Sequence, residues 1–93
     1  MAELDIDIVD TEGTVWSGPA VRVVAPAGGG EMGILAGHVP VLSVLKPGDV
    51  RVLTPDGGGT LRWRVTGGFF SVDEDQVTIV VDEAVPVTAG TAH

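Results

Sequence analysis

Short apolar runs recur along this chain roughly every 8–10 residues, each closed by glycine, proline or aspartate, and that spacing suits strands rather than helices. Residues 4–8 alternate strictly, with Leu4, Ile6 and Ile8 on one side and Asp5 and Asp7 on the other, the pattern of a half-buried strand. Residues 61–65 repeat it: Leu61, Trp63 and Val65 face in, Arg62 and Arg64 face out. Residues 14–17, 20–25, 39–45, 50–54, 69–72 and 77–81 add further strands, and the last, being the most apolar, is expected at the middle of a sheet. Asp10-Thr11-Glu12-Gly13, Gly18-Pro19, Lys46-Pro47-Gly48-Asp49, Pro55-Asp56-Gly57-Gly58-Gly59 and Asp73-Glu74-Asp75 supply the turns. No helical periodicity competes with this reading. The expectation is a small all-β sandwich or barrel forming one domain over residues 1–85, with residues 86–93 as a short frayed tail in which Pro86 and Gly90 discourage a helix.

One stretch does not read as a plain strand: Glu31-Met32-Gly33-Ile34-Leu35-Ala36-Gly37-His38-Val39-Pro40-Val41-Leu42. Gly33 and Gly37 mark places where a side chain would be in the way or where φ is positive. Pro40 forces Val39 into an extended conformation and belongs at the start or edge of a strand. His38 falls on a tight bend between two apolar segments, where a hydrogen-bonding corner residue is the expected role. The stretch is therefore predicted to be a shaped turn between two strands.

Charge and composition exclude several functions. The formal net charge is −8. A nucleic-acid binder needs a basic stripe to displace counterions, so the charge argues against nucleic acid as a partner, and likewise against charge-driven binding to anionic lipid. A basic protein partner suits the balance better. There are no cysteines, which excludes disulfides, zinc–thiolate sites and thiol catalysis. No basic segment followed by an apolar one opens the chain, so no secretory signal is expected. No apolar run approaches the roughly 20 residues of a membrane-spanning helix.

The catalytic motifs a chain of this size can carry are missing. Gly28-Gly29-Gly30 is followed by Glu31 and no helix, whereas a phosphate loop needs Gly-Lys-Ser/Thr opening one. Ser43 and Ser71 lack the strand-to-helix elbow of a hydrolase nucleophile. His38 and His93 have no partners at metal-ligand spacing, and Asp73-Glu74-Asp75 lacks the spaced ligands of a calcium loop, so no metal or cofactor is expected. Arg62 and Arg64 share one strand face and either pair with Asp5 and Asp7 or meet a partner's carboxylate. Lys46 is the only lysine, and a lone lysine in a turn raises the alternative of a lipoyl- or biotinyl-type carrier domain. Its context, Leu45-Lys46-Pro47-Gly48, matches neither carrier motif.

Three motifs, in order, resemble a known family. Gly30-Glu31-Met32-Gly33-Ile34-Leu35 with Gly37-His38-Val39-Pro40-Val41-Leu42 is similar to the "GE-x-GI-L-x-GH-x-PL" signature of the epsilon subunit of F-type ATP synthases. Leu45-Lys46-Pro47-Gly48-Asp49-Val50-Arg51 resembles its "LKPG-x-VR" segment. Gly67-Gly68-Phe69-Phe70-Ser71-Val72, followed by residues 77–84, resembles its "GGF-x-x-V…VT-x-L-A-D-x-A" ending. The opening residues 4–9 and Trp16-Ser17-Gly18 fit as well, so the resemblance runs from residue 3 to about residue 84.

The resemblance implies a β-sandwich of about ten short strands and a non-catalytic rotor subunit. Such a subunit grips gamma, rests on the c-ring and turns with both beneath alpha and beta, on the cytoplasmic face of the bacterial cell membrane. Carried over residue by residue, Glu31, Met32, Gly33 and Ile34 match the c-ring side, and His38 and Val41 the gamma side. Membrane association is then expected only through the complex. Family members commonly continue into a C-terminal helical hairpin that senses nucleotide and blocks rotation. No such helices follow Val85-Pro86-Val87 here, so a natural short form is expected, without ATP binding. Ala36 replaces a proline common in the family, which is expected only to loosen the turn.

Overall fold

Alternation of burial along each strand fixes the architecture. The computed structural model describes residues 3–55 and 59–87. Among them lie ten strands and no helix: β1 (Leu4–Asp10), β2 (Gly13–Ala20), β3 (Arg22–Ala27), β4 (Gly30–Leu35), β5 (Val41–Leu45), β6 (Gly48–Leu53), β7 (Thr60–Val65), β8 (Gly68–Asp73), β9 (Gln76–Val81) and β10 (Ala84–Pro86). They form two five-stranded sheets, ordered β2-β1-β9-β8-β5 and β10-β7-β6-β3-β4. All neighbours are antiparallel except β1 and β9, which pair in parallel with Ile8 opposite Ile79. The apolar run 77–81 is the central strand of the first sheet, as its composition predicts.

The inner faces meet in one core. Leu4, Ile6, Ile8, Phe70, Val72, Val77 and Ile79 of the first sheet lie against Val23, Ile34, Val50, Val52 and Val65 of the second, all nearly inaccessible to water. No polar or charged side chain is buried among the described residues. Burial of this apolar surface is the main favourable term for such a domain. Trp16 of β2 and Trp63 of β7 add a tilted aromatic pair, ring centroids 5.7 Å apart. Gly68 is required by the close packing of β8 on β9: a Cβ there would overlap the Val80 carbonyl, and its φ is 146°.

Several boundaries differ from the sequence reading for physical reasons. Gly18-Pro19 does not end β2 but lies within it, because β2 is a sheet edge and a proline there leaves no ladder bond unmade. Pro26 likewise ends inside β3, and its carbonyl accepts the Lys46 N–H at 2.9 Å. At the C-terminal end, β10 runs through Pro86, and the Val87 N–H donates to the Arg62 carbonyl at 2.9 Å. The sandwich thus reaches residue 87, slightly past the expected 85. Residues 88–93 of the expected frayed tail, and Asp56-Gly57-Gly58 of the predicted hairpin connection, lie outside the described residues.

Candidate functional site

The stretch 31–42 folds as an edge strand, a bend and the entry to a second edge strand. β4 pairs with β3 as a hairpin, Glu31 opposite Pro26 and Ile34 opposite Val23. It closes the second sheet, while β5, paired only with β8, closes the first. Residues 31–35 are therefore strand rather than turn, and the turn is confined to residues 36–37. The mixture of glycine and apolar residues suits an edge strand because one flank of the strand has no neighbour to pack.

Period-two alternation separates the expected site residues. Glu31 and Gly33 point to the outer face of the second sheet. Glu31 accepts a bond from Arg51 Nη2 at 2.8 Å and is half exposed. Met32 and Ile34 point the other way: Ile34 is fully buried and Met32 packs against the core. The four residues assigned to the c-ring side therefore do not share one exposed surface, since consecutive strand residues point to opposite faces. Gly33 has no positive φ; it leaves room for a side chain, as a Cβ there would lie 3.3 Å from Arg22 Nη2. Val41 also turns inward against the core.

The bend itself is tied from outside. Gly37 adopts φ 88°, which its lack of a side chain permits. Its N–H donates to Asp75 Oδ1 at 2.7 Å, across from the β8–β9 turn. The Asp75 carbonyl accepts the Asp5 N–H at 2.8 Å. Glu74 and Asp75 both hold positive φ, 49° and 66°, as a two-residue type I′ hairpin turn demands. His38 completes the bend, its N–H donating to the Leu35 carbonyl at 3.1 Å and its ring Nδ1 lying 2.8 Å from the Val39 carbonyl. The corner role expected for His38 is what the structure shows.

Downstream of the bend lies an apolar surface that sequence reasoning missed. Leu42 and Val44 project from β5, and Phe69, which faces Val44 across the ladder, projects from β8. They are 73%, 64% and 48% exposed, and with Ser43 they line an open apolar hollow. Val39, between His38 and β5, is also 69% exposed. The ladder continues inward through Val80 of β9. Such a contiguous apolar patch on a small acidic domain marks an interaction surface.

Comparison with known proteins agrees with this geometry. The family described as "ATP synthase, Delta/Epsilon chain, beta-sandwich domain" matches residues 3–87. The chain belongs to this family. The ATP synthase epsilon chain of Micrococcus luteus is 51% identical over 84 residues, covering 90% of this chain and 91% of that protein. That of Nitrosospira multiformis is 45% identical over 85 residues, and there the chain spans only 60% of the relative's length. Among solved structures, a chain of the Euglena gracilis mitochondrial ATP synthase, in a structure of OSCP, F1 and c-ring, superposes with a TM-score of 0.85 at 30% identity, over 92% of this chain and 54% of the other. A chain of the Tetrahymena thermophila enzyme shares the fold, with a TM-score of 0.73 at 15% identity.

The alternative of a carrier domain finds no support. Lys46 sits on the connection that crosses from β5 in one sheet to β6 in the other, not at the tip of a hairpin. Among the described residues no group of three or more His, Asp or Glu side chains is placed to hold a metal ion. No helix among them is long and apolar enough to cross a membrane.

Proposed function

We propose that this epsilon-family chain is a non-catalytic rotor subunit of an F-type ATP synthase, gripping gamma through the outer face of its first sheet and meeting the c-ring through the β4 edge. The observation that carries the reading is the exposed apolar patch of Leu42, Val44 and Phe69. A rotor component must stay attached under torque, and buried apolar contact provides that better than rim charges, which contribute only about 1 kcal/mol or less each. Gamma is thus held by Val39, Leu42, Val44 and Phe69 beside His38, with Val41 supporting the strand from behind. On the c-ring side, Glu31 is the group available for contact; Met32 and Ile34 anchor β4 in the core so that Glu31 stays in register. The ion pair with Arg51 holds the Glu31 carboxylate in place, and a basic group of the ring either shares or displaces that arginine.

In this role the chain couples proton transport to ATP synthesis by alpha and beta without chemistry of its own. It sits at the cytoplasmic face of the bacterial cell membrane, peripheral, and held there by the complex. Pull-down of this chain from detergent-solubilised membranes of its source, read by mass spectrometry, tests the reading. Recovery of gamma, alpha, beta and c together is expected. Recovery of none of them, from membranes rich in the synthase, contradicts it.

A further inference from the structure

All four arginines of this chain lie on one surface. Arg22 projects from β3, Arg51 from β6, and Arg62 and Arg64 from β7, each on the outer face of the second sheet. In a chain of net charge −8, whose only other basic residue of this type is Lys46, that is a strong segregation of charge. Acidic groups collect elsewhere: Asp10, Glu12, Asp82 and Glu83 line a separate hollow beside Thr66. Asp5 and Asp7 belong to β1 in the other sheet, so they do not pair with Arg62 and Arg64.

The arginines are only partly neutralised. Arg51 pairs with Glu31 at 2.8 Å and Arg64 with Asp49 at 3.1 Å. Among the described residues, Arg22 and Arg62 have no ion pair. The register adds a conflict: Arg51 and Arg62 stand directly opposite each other on adjacent strands. Like charges so placed repel and weaken the ladder. Arg51 Nε is also buried with no hydrogen-bond partner. Between the cations lie apolar side chains, Val24 and the exposed Leu53 and Leu35, and an open hollow runs from Arg22 past Val24 to Arg51 and Thr60.

We infer that the outer face of the second sheet, centred on Arg22, Arg51 and Arg62, is a docking surface for an acidic protein segment with apolar residues between its carboxylates. Carboxylates answer the unpaired guanidinium groups, for which the bidentate fork geometry is suited, and the apolar residues cover Val24, Leu35 and Leu53. The occupant is a local segment rather than an extended polyanion. The molecule measures only 35 × 29 × 27 Å. With Glu31 and Asp49 and apolar side chains set among the arginines, the face matches a short segment that spaces its carboxylates rather than the uniform charge of a membrane or nucleic acid. This surface lies on the opposite side of the sandwich from the apolar patch, so the inference does not depend on gamma binding, although it shares Arg51 with the Glu31 contact proposed for the c-ring.

Titration of the isolated chain with a short synthetic peptide alternating glutamate pairs with leucine, followed by calorimetry and amide chemical shifts, tests it. Binding is expected to shift the amides of Arg22, Val24, Arg51 and Arg62 and to weaken steeply as salt is raised. The double variant Arg22→Glu/Arg62→Glu is expected to weaken binding at least about tenfold, while Lys46→Glu leaves it unchanged. Arg22→Gln/Arg62→Gln serves should the charge reversal disturb the fold. Arg62→Gln alone is expected to raise Tm by about 1–2 °C, by relieving the repulsion with Arg51, while weakening the peptide. Absence of binding overturns the inference, as does binding that the arginine variants leave intact. Preferential capture of phosphatidylglycerol vesicles over the peptide also overturns it. None of these outcomes bears on association with gamma, which the pull-down reads separately.

Discussion

The two sheets present similar inner faces and very different outer ones. Inside, both offer valine, isoleucine and leucine to a shared core. Outside, the first sheet carries Leu42, Val44 and Phe69 at the β5 edge, and the second carries a lattice of four arginines with two carboxylates. The inner faces account for why the chain folds. The outer faces are under no such requirement, so their contrast reports on partners: one surface suited to permanent apolar attachment, the other to charge-dependent contact.

Neighbouring residues divide along this line, which makes the comparison breakable. Phe70 is fully buried and Phe69 half exposed, one position apart on β8. Phe70→Ala is expected to lose about 3–5 kcal/mol of stability in a urea melt, as truncation of a core aromatic does. Phe69→Ala is expected to change that melt by less than about 1 kcal/mol, yet to weaken gamma binding by about 2 kcal/mol, close to thirtyfold. Equal effects of the two substitutions on stability would erase the distinction between core and interface. Asp75→Ala comes next. It removes the acceptor of the Gly37 N–H at the β8–β9 turn and is expected to lose about 1–2 kcal/mol, with faster amide exchange at Gly37; unchanged exchange there would show that the bend holds itself. Glu31→Lys is expected to change stability by only about 1 kcal/mol or less, since its ion pair with Arg51 is half exposed. It should nevertheless weaken c-ring docking, measured by retention on purified rings, and a collapsed circular dichroism spectrum would contradict that assignment.

Strand positions, turn positions and the central place of residues 77–81 were legible because period-two patterns and turn residues are local signals. The inward set of β7, Leu61, Trp63 and Val65, is as the alternation predicts. What escaped was orientation where both faces are apolar. In β5 one alternating set holds Val41 and Leu45, the other Leu42 and Val44, and nothing local says which meets the core. Pairing with β8 decides it, and pairing is a long-range property. The same limit hid the burial of Ile34, whose strand reads locally as a turn. Of the two roles the sequence allows Gly33, the steric one holds, leaving room for Arg22. Partners of Arg64 were likewise undecidable until the register set it opposite Asp49.

The central claim is that the first sheet's outer face, and not the second's, lies on gamma. Photo-cross-linking tests it most directly: p-benzoylphenylalanine placed at Val44 in one variant and at Arg62 in another, irradiated in the assembled synthase, with adducts identified by mass spectrometry. The account predicts gamma adducts from position 44 and none from position 62. Gamma captured from position 62 and not from position 44 would contradict it.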